Sequence, residues 1–247
     1  MTGVKVLAAG GTLVAALSVA GAVSHAEAPD GLIYDAMAAP ATISYAGIVQ
    51  SVRIGNRGSE ACVYRIEHRA PNLTLRQYTS PSNLVGDWLV SKGDMSFSVD
   101  TKRRHVTETR NAAINDQIAI DNNYLLLRQN YRAVTRGNET FAGRHAIDVV
   151  LVNNYTHHTA MLVRIDMPSK IVLDKQQYAG DGSLLAETRF EEISFSANVP
   201  SSDFDVPEGY AVEQGPSFGS PSDDPNGVIG RAGFDAREPK FLPDGFS

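Results

Sequence analysis

Two alternating apolar runs flank a polar connection in "AIDVVLVNNYTHHTAMLVRIDM", Ala146 to Met167. Each run is rich in the β-branched residues that favour strands, and the few residues of "NNYTHHT" between them leave no room for a parallel crossover. The stretch therefore reads as an antiparallel hairpin. Its two adjacent histidines, His157 and His158, would point to opposite sides of a strand, so joint ligation of one metal would need an irregular turn and further ligands from elsewhere. A turn between strong strands is the simpler reading.

The same pattern extends outward in both directions. Upstream lie "SYAGIVQSVRI", "EACVYRIEHRA", "LTLRQY", "DWLVSKGDMSFSVD", "KRRHVTET", "YRAVTRG" and "FAGRH"; downstream lie "IVLDKQQY" and "LLAETRFEEISF". Short connections such as "GNRGS", "SKGD", "PSK" and "AGDGS" join them, as expected of an antiparallel meander. Ala46, Ile48, Val52 and Ile54 share one side of their run, and Cys62, Tyr64 and Ile66 share one side of theirs. The opposite sides carry Arg53, Arg65, Glu67 and Arg69, the signature of strands with one wet face. Asp166 and Asp174 are assigned to such a wet face, and Arg144 to water. The period lengthens to three and four in "NAAINDQIAIDNNYLLLRQN", where Ile114 pairs with Ile118 and Tyr124 with Leu127. One or two short helices are expected there, with Asp121 a candidate cap. Another is expected over "DGLIYDAMAAPATI", capped by Asp30 and ending near Pro40.

The first 28 residues combine Lys5, an apolar run from Val6 to Val23 and the small residues Ser24, Ala26 and Ala28, which fits a cleaved secretory signal, an uncleaved anchor being the alternative. The domain proper is then expected over 29–210. Seven of the twelve prolines fall between Pro200 and the end of the chain, so 211–233 reads as a linker and 234–247 as the start of a truncated second domain. The formal net charge is -6, which disfavours nucleic acid as a partner. Cys62 is the single cysteine, so no internal disulfide can form, and its place on an apolar side suggests a buried, inert thiol.

No nucleophile elbow, phosphate loop, metal-ligand spacing or paired-carboxylate helix is present in the sequence. Neither a catalytic residue, a metal nor a cofactor is expected, and the chain is read as a non-enzyme. What remains is geometry. A curved antiparallel sheet with helices laid across its concave side encloses an apolar space. The candidate cavity residues are Ile48, Val52, Cys62, Tyr64, Ile66, Leu75, Met95, Phe97, Val149, Leu151 and Val163 on strands, with Tyr124, Leu125, Leu126 and Leu127 as a helical lid.

An ordered set of short motifs resembles one family. Ala142 to Arg144 open a strand, Arg164 to Asp166 follow, Asp181 and Gly182 make a turn, and Phe204, Val206, Pro207 and Gly209 close the domain. This series is similar to the N-terminal domain of the RseB/MucB sigma-factor regulators, which share the lipoprotein-carrier fold of LolA. "PKFLPDGF", Pro239 to Phe246, is similar to the start of their C-terminal domain. The resemblance implies a mainly β, half-open barrel covered by short helices, exported to the periplasm or cell exterior. It implies binding of lipid or lipoprotein acyl chains and of the periplasmic domain of an anti-sigma factor in envelope stress signalling. A periplasmic carrier of the LolA type is the second reading, and the oligomeric state is left open.

Overall fold

The computed structural model describes residues 28–55, 58–110 and 117–215. The expected leader (but for Ala28), Ile114, most of the linker and the whole of 234–247 lie outside the described residues.

Helix α1 spans Pro29–Ala38 and runs into a 3₁₀ turn, Ala39–Ala41. Pro29 suits the first helical position because its missing N–H would be unpaired there anyway. Ala28, not Asp30, is the residue that precedes the helix; Asp30 sits in the first turn, where its charge complements the helix dipole. The strands are β1 Tyr45–Gly55, β2 Gly58–Arg69, β3 Leu73–Ser80, β4 Trp88–Lys92, β5 Met95–Asp100 and β6 His105–Arg110, then β7 Tyr131–Phe141, β8 Arg144–Asn153, β9 Thr159–Asp166, β10 Val172–Tyr178, β11 Leu184–Ser194 and β12 Ala211–Gln214. Among the described residues between β6 and β7 stands one helix, α2, Gln117–Asn130. Asp121 lies inside it, not at its cap, and accepts hydrogen bonds from Tyr34 Oη (2.9 Å) and Gln117 Nε2 (2.8 Å).

All twelve strands form one curved, unclosed sheet in the order β12-β6-β5-β4-β3-β2-β1-β11-β10-β9-β8-β7. It is two meanders, β1 to β6 and β7 to β11, welded by the antiparallel pairing of β1 with β11. The strands on either side of α2 thus end at opposite ends of the sheet. Ala211–Gln214, assigned to the linker from composition, pair in parallel with β6 and extend the sheet.

Register sorts the side chains onto two faces. On the inner face, Val49 stands opposite Tyr64 and Gly47 opposite Ile66 across β1 and β2. The same face continues through Val163 opposite Val149 and Met161 opposite Leu151. Leu32, Ile33 and Ala36 of α1 pack there on Ile147, Val149, Leu151, Val163 and Ile165. On the outer face, Ala46 stands opposite Glu67, which faces Leu75, then Val90, then Phe97. That side is not wet along its whole length. Residues 195–205 cross it, and Phe204, fully buried, packs with Val199 and Val90. Glu67 is buried beneath this strap and bonded to Arg65, and desolvation pushes its carboxyl above the usual range.

Gly47 marks the weld. The β1–β11 register slips between Ile48 and Val49, and a Cβ on Gly47 would lie 2.2 Å from the carbonyl oxygen of Glu192. Only glycine lets the two meanders approach this closely.

Candidate functional site

The sequence motifs turn out to be clamps. Arg144 donates from Nε and an Nη to both oxygens of Asp166, each at 3.0 Å, and Ser169 adds its backbone N–H (3.0 Å) and Oγ (2.6 Å). These donors hold the Asp166 carboxyl below its ordinary range despite burial. Arg164 reaches Asp174, Glu139 and, at 3.3 Å, Asp148 on the outer face. Asp166 and Asp174 are both fully buried, which corrects their assignment to a wet face, and Arg144 faces Asp166 instead of open solvent. Burial raises the Asp148 and Asp174 carboxyls more than Arg164 lowers them.

The turns behave as read. Asn153 Oδ1 accepts from the N–H groups of Tyr155 and Thr156, both at 2.9 Å, and His157 adopts a left-handed backbone at φ 60. His158 bonds the Gly180 carbonyl through Nδ1, tying this turn to the next. In that next turn Asp181 Oδ1 takes the Ser183 N–H and hydroxyl, and Gly182 supplies the required φ of 84.

The candidate cavity residues divide between the faces. Cys62, Tyr64, Ile66, Val149, Leu151 and Val163 point inward, whereas Ile48, Val52, Leu75, Met95 and Phe97 belong to the outer face by register. The two groups cannot line one hollow. Ile48 is 38% exposed, and Leu75 and Phe97 pack under the 195–205 strap. Where both parities of a strand are apolar, as in Ile48, Val49 and Val52, alternation does not choose a face; β1 chooses the one where Val49 meets Tyr64 and Phe190. Of the lid, Tyr124 and Leu127 pack inward, whereas Leu125 and Leu126 face out at 56% and 50% exposure.

Under α1 the inner face is packed solid, with Val149, Leu151 and Val163 all buried. Open space remains at one end of the strands. A cavity of about 290 Å³ lies at the C-terminal end of α2, lined by Leu127, Tyr131, Leu151, Met161, Gln177 and Leu185, with Ala160 beside them. A second, of about 600 Å³, lies two strands away, among Ser51, Arg53, Cys62, Tyr78, Pro81 and Leu84. Between them the floor is Ala186 and Thr188, opposite Arg53 and Ser51, with Ser51 Oγ and Thr188 Oγ1 3.2 Å apart. The first space sits at the lower end of the range of about 300–1,000 Å³ typical of small-ligand pockets, and the second well inside it. Lys175, opposite Val163 and Thr188, is exposed on this face, so its middle is wet. Cys62 is half-buried at the second cavity, and desolvation raises its thiol, keeping it protonated and weakly nucleophilic near neutrality.

Comparison with solved structures fits this architecture. A MucB chain superposes with TM-score 0.57 at 13% identity, covering 74% of this chain and 64% of that one. The fold is that of the matched part of MucB. The Pseudomonas aeruginosa MucA/MucB complex gives TM-score 0.56 at 14% identity, over 72% of this chain and 61% of the matched chain. An uncharacterised conserved protein from Thermus thermophilus gives 0.53 at 14% identity, over 74% of this chain and 97% of that one. This chain therefore spans under two thirds of the MucB chains it matches. No family model and no curated protein matches the sequence itself. The MucB-like sheet is thus the shared feature, and it is the fold that the motif series implied. Among the described residues no helix is long and apolar enough to cross a membrane, and no cluster of three metal-ligating side chains occurs.

Sequence reasoning missed Met161, Tyr131 and Gln177, which line the smaller cavity. The available signal was end position: each lies within a few residues of a connection on the same rim of the sheet.

Proposed function

We propose that this chain is an exported, non-catalytic binding protein that takes an acyl chain of a lipid or lipoprotein at the open end of its inner face, and relays that occupancy to an anti-sigma factor. The observation that carries the reading is the pair of cavities on one face and one rim, floored between by small side chains. The first is largely apolar, and burying about eight methylenes at ~0.8 kcal/mol each supplies roughly 6 kcal/mol, an affinity in the tens of micromolar with no covalent chemistry. The MucB chains of the same fold are found with MucA, which supports an anti-sigma partner here.

A carrier role is the second reading. It is favoured by both cavities being lined by strands, α2 and a loop of this one chain, so a ligand could be held without any partner.

Native mass spectrometry of freshly purified protein tests the shared premise: a co-purified lipid is expected. Gln177→Trp, on the inner face opposite Met161 and lining the smaller cavity, should fill that space and abolish lipid co-purification, and an empty wild type would overturn the proposal. Pull-down with the periplasmic part of a membrane anti-sigma factor then separates the two readings, since only the regulator should be retained.

A further inference from the structure

The outward side of α2 carries an apolar surface that nothing among the described residues covers. Its exposed residues from 122 to 129 are Asn122, Asn123, Leu125, Leu126, Arg128 and Gln129, with no carboxylate among them. Leu125 and Leu126 stand 56% and 50% exposed at the centre. Tyr155, also 56% exposed, joins them at the helix's last turn, because Asn154 Nδ2 donates to the Gln129 carbonyl (3.1 Å) and Asn154 N–H to the Asn130 carbonyl (2.9 Å). Arg132 is exposed two residues beyond the helix. In a chain of net charge -6, a surface of leucine, tyrosine, amide and arginine is locally distinctive.

Its position narrows the occupant. Tyr124 Oη donates to the Asp30 carbonyl at 3.0 Å, and Arg128 Nε approaches Asp30 Oδ2 at 3.8 Å, so α2 is fastened to the first turn of α1. The apolar run Val6 to Val23 ends only five residues before Pro29. Five residues span at most about 18 Å when extended. With that segment kept as an uncleaved anchor, or before its removal, the α2 surface is within reach of the headgroups. Aliphatic side chains flanked by arginine, with an aromatic at the edge, match the interfacial zone of an anionic membrane.

We propose that the outward face of α2, with Leu125, Leu126, Tyr155 and Arg128, docks on an anionic lipid surface. The smaller cavity, walled by Leu127 and Tyr131, then opens beside the membrane. The docking surface does not depend on that cavity holding a ligand.

The test is flotation of the exported protein, purified from the producing cell, with phosphatidylcholine–phosphatidylglycerol vesicles and with pure phosphatidylcholine vesicles. Wild type should float with the anionic vesicles and less with the neutral ones. L125S/L126S should reduce the floating fraction at least about tenfold, and Leu126→Trp should raise it. Val212→Ser, an exposed apolar residue on β12, should leave flotation unchanged. Wild type that stays in the aqueous layer overturns the proposal. So does equal flotation of wild type and L125S/L126S, which would assign binding to another part of the chain. A wild-type dimer in vesicle-free solution that L125S/L126S dissociates would also overturn it, making a second copy the occupant. Binding of a fluorescent fatty acid should be the same in wild type and L125S/L126S, so this surface and the acyl cavity can fail separately.

Discussion

Phe204→Ala should be among the most damaging single substitutions in the chain, although Phe204 lies in no helix longer than one turn and on no strand. The ring is fully buried between Val90 and Val199, with Leu75, Trp88 and Phe97 around it. Removing it forfeits the transfer free energy of the side chain and leaves a cavity that the hydrogen-bonded sheet beneath cannot close, a cost of about 3–5 kcal/mol. The loss should also propagate, since Phe204 is the anchor between β11 and β12. Beyond it, Lys92 Nζ meets Asp205 Oδ1 at 3.2 Å in an exposed pair of little value, and then β12 pairs with β6. At about 2–4 °C per kcal/mol for a domain of this size, the melting temperature should fall by roughly 6–20 °C. Differential scanning calorimetry and urea titration measure this, with Tyr155→Ala, exposed at 56%, as a control expected to stay within about 0.5 kcal/mol. Hydrogen exchange should accelerate at Ala211 and Gly215, whose N–H groups bond Arg104 (3.0 Å) and Glu108 (2.7 Å). A cost under about 1 kcal/mol with unchanged exchange in β12 would refute the claim that residues 195–205 are the second wall of the core.

Three further outcomes follow from the geometry. Arg164→Met leaves Glu139, Asp148 and Asp174 without their shared cation; it should cost about 3–5 kcal/mol at neutral pH in urea titration, and the deficit should shrink on acidification as those carboxyls take up protons. Gly47→Ala should cost about 1–3 kcal/mol or more, because the new Cβ meets the Glu192 carbonyl at 2.2 Å; retention of full stability would show that the weld between the meanders is loose. His68 is 2% exposed, and its ring is held neutral: the Pro40 carbonyl (2.7 Å) can only accept, so Nε2 carries the proton and Nδ1 accepts from Thr74 Oγ1 (2.9 Å). Desolvation lowers its pKa below 6.5, so the stability it contributes is complete above that pH and is lost as pH falls through it. His68→Gln should therefore close part of its stability gap to wild type between about pH 7 and pH 5; a constant gap would contradict a neutral buried ring.

The hairpin, the meander and most strand positions were legible because period-two alternation and glycine-bearing turns are local signals. The turn at Asp181 and Gly182 and the helix carrying Tyr124 and Leu127 are of this kind. Three features were not local. The pairing of β1 with β11 joins residues more than a hundred positions apart, so nothing near Val49 told it to turn inward in place of Ile48. The strap of residues 195–205 covers strands distant in the chain, so Glu67 and Leu75 look like the two sides of a half-wet sheet until Phe204 is seen above them. Asp166 and Asp174 read as surface charge because a carboxylate's burial depends on an arginine elsewhere, Arg144 in one case and Arg164 in the other. Composition also placed Ala211–Gln214 in a linker, since four residues beside proline and glycine carry no periodicity; only the free edge of β6 makes them a strand.

These non-local features together explain why the two inner-face cavities share one rim. The sheet buries its inner face under α1 near β7 to β9 and its outer face under the strap near β3 to β5, so the change of covered side falls across β10, β11, β1 and β2. At such a crossing neither cover reaches fully over the inner face, and the residues there are mixed: exposed Lys175, half-exposed Ala186, Thr188 and Ser51, and buried Val49 and Phe190. Packing cannot close both faces of a single curved layer with one helix pair and one strap. The space left over, at the ends of those strands, is where the two cavities lie, and a larger packed core would have removed it.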